Sequence, residues 1–255
     1  MPKLGTRKLY KMIKEDLNLE QIKVGRDGLF EILREAGLLI RKRKNYCRTT
    51  NSNHWMTKYR NLIKDMEISR PEQVLVSDIT YIRTDKGFNY LSLVTDAYSR
   101  KIVGYKLSEN LQCQGSIEAL KMAIRTIRNT NKIIHHSDRG IQYCSKEYVS
   151  VLTKHGMEIS MTDDGNVYEN AIAERINGIL KEEFGIGEGL KSYEQASRYI
   201  KQSIGIYNTQ RPHMSCGLLT PAQAHVSKTE VKKMWKSYPY KKSIKINEVN
   251  SLLTY

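Results

Sequence analysis

Three apolar segments that follow one another with only turn-length spacers constrain the fold of this chain most strongly. The segments VLVSDITYI, FNYLSLVTD and KIVGYKL are rich in β-branched and aromatic residues, and the turn-forming sequences TDKG and DAYSR separate them. Connections this short join neighbouring antiparallel strands, because parallel strands need a long crossover between them. The centre of the chain therefore predicts a β-meander of three strands.

The sequence after the meander alternates between helical and extended patterns. Apolar residues recur at helical spacing from about 114 to 128, and the short run KIIHHS then predicts a buried strand that ends at Asp138. Helix, strand and helix patterns follow, with a further helix from about 193 to 208. A meander followed by alternating helices and strands indicates an α/β fold, with a mixed sheet covered by helices on both faces.

The segments outside this core differ from it in composition. Helical spacing near residues 6–17 and again after residue 25 predicts two short helices joined by a turn, with basic residues around them. This pattern fits a small helix-turn-helix unit, although two amphipathic helices also occur in modules that never touch DNA. We predict a helix-turn-helix-like module at 1–40, a basic linker at 41–70, the core at 71–186, a C-terminal helical extension at 187–226 and a basic, aromatic tail at 227–255.

The charge of the chain indicates a polyanionic partner. Lys and Arg total 42 against 27 Asp and Glu, which gives a net charge of +15 and a pI of about 9.5. Nucleic acid is the polyanion that this excess favours, although a basic ribosomal-type or membrane-surface protein could show the same balance. No stretch approaches the roughly 20 apolar residues that a membrane span requires. We therefore expect a cytoplasmic, nucleoid-associated protein with no membrane contact.

The cysteines give no sign of a disulfide framework or a zinc site. Cys47, Cys113, Cys144 and Cys216 are widely scattered, and no C-x-x-C pair occurs. His135, His136 and Cys144 lie close together in the sequence, but a closed zinc site needs a second paired set of nitrogen or sulfur ligands at suitable spacing, which the sequence lacks. We expect reduced, structural thiols.

Three carboxylates stand where the predicted elements could deliver them to one place. Asp78 interrupts an apolar strand, Asp138 ends the next buried strand, and Glu174 lies on a predicted helix. Acids from separate elements can hold two Mg²⁺ ions on a phosphodiester, since Mg²⁺ prefers oxygen ligands. Taken singly, Asp78 could merely cap a turn and Glu174 could be a solvated helix acid. Together they predict a phosphoryl-transfer enzyme.

The helix that carries Glu174 has two different faces. At about 100° per residue, Asn170, Asn177 and Lys181 fall on the side of Glu174, and the branched apolar stripe falls opposite. A face of small residues and amides leaves room for a substrate. Lys181 is the leading candidate for a phosphate contact, and the further candidates for DNA contact are Arg139, Asn170, Asn177 and Arg211.

The same residues carry a family resemblance over nearly the whole chain. QVLVSDITYI, HSDRGIQY, SMTDDGNVYENAIAERINGILKEE, and YNTQRPH with LLTPAQA resemble the second-frame transposases of insertion-sequence family three. These proteins carry a DDE catalytic core similar to that of retroviral integrases. The resemblance implies a ribonuclease-H-like fold with a mixed five-stranded sheet, and it matches Asp78, Asp138 and Glu174 to the catalytic, metal-binding acids.

The resemblance also sets expectations for function and partners. We expect a DNA transposase that nicks element ends and transfers their 3′-hydroxyls by two-metal chemistry, with two Mg²⁺ ions and Mn²⁺ as a possible substitute. The expected partners are the terminal inverted repeats, target DNA, other copies of the chain and an upstream-frame protein, as fusion or partner. A two-metal endonuclease that cuts without joining and a catalytically silent, transposase-derived DNA-binding protein are the alternatives.

Overall fold

The computed structural model describes residues 1, 3–40, 54–127, 129–163 and 170–234. The parts of the predicted linker and tail at 41–53 and 235–255 lie outside these residues. Within the described residues the helices and strands are, in chain order, α1 (Thr6–Leu19), α2 (Arg26–Glu35), β1 (Val74–Thr84), β2 (Gly87–Asp96), β3 (Ile102–Ser108), α3 (Cys113–Thr126), β4 (Ile134–Ser137), α4 (Ile141–Cys144), α5 (Lys146–Lys154), β5 (Glu158–Met161), α6 (Ala171–Phe184), α7 (Tyr193–Thr209), a short 3-10 helix (Met214–Cys216) and α8 (Pro221–Val226).

The five strands form one mixed sheet in the order β3-β2-β1-β4-β5. The meander β1–β2–β3 is antiparallel, as its short turns predict, and β1 pairs in parallel with β4, which pairs in parallel with β5. The prediction of a mixed five-stranded sheet is confirmed. Strand β1 lies at the centre of the sheet, where it joins the antiparallel half to the parallel half.

Helices cover both faces of the sheet. Side chains on a strand alternate between its two faces, so β1 contributes apolar residues to a core on each face. Leu75 of β1 packs into a core with α3 and α5, which also contains Leu120 and Leu152. Ile82 of the same strand packs on the opposite face, in a core formed with α6 and α7. The sheet is therefore the middle layer of a three-layer fold.

Helix α3 lies very close to the sheet at Gly104 of β3. A Cβ atom at this position would lie 2.1 Å from the carbonyl oxygen of Ala119 and 2.9 Å from the backbone nitrogen of Ala123. Backbone atoms cannot move aside as a flexible side chain can, so only glycine allows the helix to approach the strand this closely.

The C-terminal helices are fastened to the edge strand β3 by the YNTQRPH motif. The Tyr207 hydroxyl donates to the carbonyl of Arg100 at 2.8 Å, and the Asn208 side chain bonds both the N–H and the carbonyl of Ile102, at 3.0 and 2.9 Å. The motif thus satisfies backbone groups at the edge of the sheet. None of the described helices is both long and apolar enough to cross a membrane.

The two N-terminal helices form where helical spacing predicts them. They contact each other, and the segment just before α1 reaches the core, since the Lys3 N–H donates to the Glu183 carbonyl at 3.2 Å. Two helices joined by a turn do not by themselves define a DNA-binding module, so the helix-turn-helix assignment stays a prediction.

Candidate active site

Asp78 lies in the middle of β1, on the face that α6 covers. Its Oδ2 accepts a hydrogen bond from Asn177 Nδ2 at 2.7 Å, and its Oδ1 accepts from the Ile79 N–H at 2.9 Å. Asn177 belongs to α6 and is buried. The carboxylate of the central strand is therefore oriented by a helix more than 90 residues further along the chain.

Asp138 follows the last residue of β4, next to Asp78 across the sheet. Strands β1 and β4 run in parallel with Ser77 opposite Ser137, so each acid comes directly after a paired serine. This register brings Asp78, in the middle of β1, and Asp138, just after β4, to the same level of the sheet. The Gly140 N–H donates to Asp138 Oδ1 at 3.0 Å and helps to orient it.

Glu174 lies in the first turn of α6, where the helix dipole favours a negative charge. The start of this helix is attached to β1, because Asn170 Nδ2 donates to the Ser77 carbonyl at 3.2 Å. Ser77 immediately precedes Asp78. The third acid therefore comes from a helix whose first residues are bound to the strand that carries the first.

The three carboxylates interact electrostatically. Burial, followed by the charge of Asp138, raises the pKa of Asp78 to about 7, and Glu174 adds to this rise. Burial and the charge of Asp138 also raise the pKa of Glu174. Hydrogen bonds from Asn177 and the Ile79 N–H oppose the shift of Asp78 but do not overcome it. Negative charge is thus concentrated at this place in the fold, against the cost of burying it.

The oxygen atoms at this site suit a hard divalent cation. Asn170 and Asn177 are 4% and 5% exposed, and the side-chain oxygen of each has no hydrogen-bond partner among the residues that the structure describes. Carboxylates, amide oxygens and water are the ligands that Mg²⁺ prefers. Across the described residues, no three His, Cys, Asp or Glu side chains are gathered so that they could hold one ion. A metal ion at this site would therefore be bound by fewer than three of these acids, with water molecules as further ligands.

The residues predicted as DNA contacts occupy different environments. Lys181 is half-buried two turns beyond Glu174 on α6, and the half-buried Arg139 follows Asp138. Asn170 and Asn177, predicted as DNA contacts on the Glu174 side of α6, are both buried against β1. Their amide nitrogens hold the start of α6 and the Asp78 carboxylate.

Arg211 lies away from any surface that DNA could reach. It is 1% exposed, and its guanidinium binds both oxygens of Glu183, with Nε–Oε2 and Nη2–Oε1 distances of 2.7 Å. A fully buried side chain whose charge is already paired has nothing to offer a phosphate. The DNA contact predicted for Arg211 is therefore not retained.

Sequence reasoning missed a polar cluster beneath the acids. His135 was considered only as a zinc ligand, yet its Nε2 lies 2.8 Å from Ser77 Oγ and 2.9 Å from the Tyr148 hydroxyl. The signal in the sequence was a pair of imidazoles, His135 and His136, directly after the apolar residues of KIIHHS and shortly before Asp138. Its partners could not be read from the sequence because they lie on other elements.

The comparisons with known proteins agree with this architecture. Two models described as "Integrase core domain" match residues 68–167 and 155–221, which together span the sheet, the acids and α7. A chain in the intasome of simian T-cell lymphotropic virus superposes with a TM-score of 0.54 at 20% identity, covering 94% of this chain and 79% of that one. The protein is therefore a polynucleotidyl transferase of the DDE transposase and integrase class.

Two curated relatives narrow the class to a family. The 31 kDa protein of insertion element IS600 from Shigella sonnei is 36% identical over 86% of this chain and 79% of its own length. Transposase InsF for insertion sequence IS3A, from Escherichia coli strain K12, is 35% identical over 75% of this chain and 67% of its own length. The chain belongs to the IS3 family of transposases with an integrase-like core.

Proposed function

We propose that this transposase nicks the ends of its DNA element and transfers the 3′-hydroxyls to target DNA, with Asp78, Asp138 and Glu174 as its catalytic acids. The observation that carries the proposal is the pair of carboxylates at one level on adjacent parallel strands, with the pKa of Asp78 raised to about 7. Like charges held together in this way are typical of a site that a divalent cation completes.

The acids would hold two Mg²⁺ ions, for which Mn²⁺ could substitute. Bound ions of this kind activate an oxygen nucleophile and stabilise the leaving oxygen of a phosphodiester. No ion needs all three acids, because Mg²⁺ in proteins commonly binds one or two carboxylates and keeps several waters. Asp78 and Asp138 would flank the two ions, and Glu174 would complete the site from the start of α6.

The surrounding residues of the chain hold the acids in place. Asn177 and the Ile79 N–H each occupy one oxygen of Asp78, and the Gly140 N–H orients Asp138. Positioning of this kind matters because phosphoryl transfer depends mainly on geometry and charge neutralisation, with little covalent chemistry by the protein.

DNA would approach the site along α6 and the segment after Asp138. Lys181 and Arg139 are the basic residues that we propose for contact with the scissile strand. The N-terminal helices α1 and α2 would supply a second DNA contact as a helix-turn-helix-like module. The net charge of +15 supports a polyanionic partner for the chain as a whole.

Joining two element ends calls for more than one copy of the chain. We therefore propose a homo-oligomer assembled on DNA, and the similar viral chain was itself solved as part of an intasome. An upstream-frame protein, fused or separate, would be a further partner. The proposed substrates are the terminal inverted repeats of the element and a target duplex.

The proposal is tested by single substitutions at the acids. Asp78→Asn, Asp138→Asn and Glu174→Gln should each reduce strand transfer on element-end DNA by at least about 100-fold in Mg²⁺, since each removes a charge that the site needs. DNA binding, measured by filter retention, should persist. Glu182→Gln is the matched control, because Glu182 lies on the same helix but is exposed and pairs only loosely with Arg175 at 3.7 Å.

Strand transfer that survives all three acid substitutions would refute the proposed site. A wild-type protein that nicks element ends but never joins them would instead indicate the endonuclease alternative. Both products are resolved on one denaturing gel when the 5′ end of the element strand and the target are labelled differently.

A further inference from the structure

Ser77 contacts all three elements that carry the proposed acids. It belongs to β1 and immediately precedes Asp78. Its Oγ lies 2.8 Å from Nε2 of His135 on β4, the strand that leads to Asp138. Its carbonyl accepts from Asn170 Nδ2 at the start of α6, the helix that carries Glu174. One buried serine therefore links the supports of the first, second and third acid.

His135 extends this connection to a third layer of the fold. Its Nε2 also lies 2.9 Å from the hydroxyl of Tyr148 on α5, and the two rings pack with their centroids 5.4 Å apart. Ser77 and His135 are each 1% exposed, and Tyr148 is fully buried. Burial lowers the pKa of His135 to about 3, so the imidazole is neutral at physiological pH.

These three side chains are polar groups inside an apolar core. Their neighbours include Leu75, Leu120 and Leu152, and apolar residues of similar volume could pack there without any need for hydrogen bonds. The Ser77 and Tyr148 hydroxyls both pair with His135 Nε2, whereas His135 Nδ1 has no partner among the described residues. A displacement of β4 would therefore leave two further buried polar groups unpaired, and this cost opposes the movement. The cluster lies directly behind the acids, so a constraint on its arrangement is also a constraint on the strands that carry them.

The arrangement it fixes is the alignment of β1 with β4. A strand rises by about 3.3 Å per residue, so a slip between the two strands would separate Ser77 Oγ from His135 Nε2. The same slip would change the level of Asp138 relative to Asp78. Strand β4 has only four residues, Ile134–Ser137, and few ladder hydrogen bonds are available to resist such a movement.

We propose that Ser77, His135 and Tyr148, here called the Ser77 network, are positioning residues that set the spacing of Asp78 and Asp138 for metal binding. They act through the backbone, since the network lies on the face of the sheet opposite the Asp78 carboxylate. The Ser77 carbonyl extends this control to Glu174 by holding Asn170. The inference rests on the proposed acid site and adds a second layer of residues to it.

The test compares two buried tyrosines that differ in place but not in chemistry. Tyr148→Phe removes a hydroxyl from the Ser77 network and keeps the ring. Tyr207→Phe removes an equally buried hydroxyl, bonded to the Arg100 carbonyl at 2.8 Å, on the far side of the fold from β4. Ser77→Ala is the second variant within the network. Thermal unfolding measures how much each change destabilises the full chain.

The deciding measurement is Mn²⁺ binding by the full chain without DNA, followed by the electron paramagnetic resonance of free Mn²⁺. Residues that orient metal ligands commonly contribute about 10- to 100-fold to metal affinity. We expect Tyr148→Phe and Ser77→Ala to raise the Kd for Mn²⁺ by about 10-fold. Tyr207→Phe should bind Mn²⁺ as the wild type does, even where its loss of thermal stability is the same.

Two outcomes would overturn the positioning role. The first is that Tyr148→Phe or Ser77→Ala folds and binds Mn²⁺ as tightly as the wild type. The second is that Tyr207→Phe weakens Mn²⁺ binding as much as the network variants do. Asp78→Asn tests the acid site separately. If Mn²⁺ binding is lost in Asp78→Asn but kept in Tyr148→Phe, the network is refuted and the metal site is not. If the wild type does not bind Mn²⁺, or if Asp78→Asn binds it as the wild type does, the metal site and the network are refuted together.

Discussion

At the scale of single residues, Asp78 shows how the site opposes the stability of the fold. Its carboxylate is enclosed by the sheet and α6 and lies near two other acids, and both effects raise its pKa. An acid whose pKa is higher in the folded state than in the unfolded chain lowers the stability as it ionises. The proposed metal-binding role accounts for a carboxylate at a position where folding alone would favour a neutral group.

Asp78→Asn should stabilise the protein in EDTA at high pH. The destabilisation by Asp78 is absent below the unfolded pKa near 4, develops between pH 4 and 7, and is complete above the folded pKa of about 7. We expect the variant to exceed the wild type by roughly 1–3 kcal/mol at pH 8 and to differ little at pH 4. Urea unfolding at the two pH values measures this. A difference that does not change with pH would contradict it.

At the scale of elements, α6 connects the site to the rest of the fold through its two ends. Glu174 lies in its first turn, and Glu183 lies in its last. Glu183 accepts from Arg211, which precedes Pro212, and from Lys8 of α1 at 2.5 Å. These hydrogen bonds and charges hold the pKa of Glu183 below its usual value although burial opposes them. The helix is therefore fixed at both ends, by Asn170 and by this buried ion pair.

Arg211→Met should destabilise the protein strongly, because it leaves Glu183 buried with Lys8 as its remaining cation. Breaking a buried pair commonly costs about 3–5 kcal/mol, and with Lys8 still present we expect about 2–4 kcal/mol. Arg175→Met is the matched control, since Arg175 is exposed and its pair should contribute less than about 0.5 kcal/mol. Chemical unfolding of both variants measures the difference. Equal losses would show that the ion pair does not fix α6.

At the scale of the whole molecule, the excess positive charge has to be distributed over surfaces that DNA can reach. Net charge identifies a polyanionic partner but not the surface that meets it. Helix α6 and the segment after Asp138 lie beside the acids, whereas α3 covers the opposite face of the sheet. Basic residues on these two faces should therefore contribute differently to DNA binding.

Lys181→Met should weaken DNA binding and reduce its dependence on salt. Each phosphate contact that is lost lowers the slope of log K against log salt by about one. Lys121→Met is the control, because Lys121 is exposed on α3, across the sheet from α6. Fluorescence anisotropy with element-end DNA, at roughly 50 to 200 mM salt, measures the slope for both variants. Equal slopes for the two variants would exclude a specific contact by Lys181.

Several features of the fold could be predicted because they depend on neighbours in the sequence. The meander follows from short turns between β-branched segments, and the helix at Ala171–Phe184 follows from its apolar spacing. The faces of that helix were predicted less well. Periodicity separated Asn177 from the apolar stripe, but it could not show that β1 would approach closely enough to bury it.

The order of strands and helices and the excess of positive charge were determined by the sequence itself, since each is a local or compositional property, and the three acids were predicted from it as the catalytic set. Only the tertiary structure decided that Arg211 is buried against Glu183, that Asn177 holds Asp78, and that Ser77 and His135 meet behind the acids. These facts depend on contacts between residues far apart in the chain. Such contacts are fixed by packing in three dimensions, which periodicity along one element does not describe.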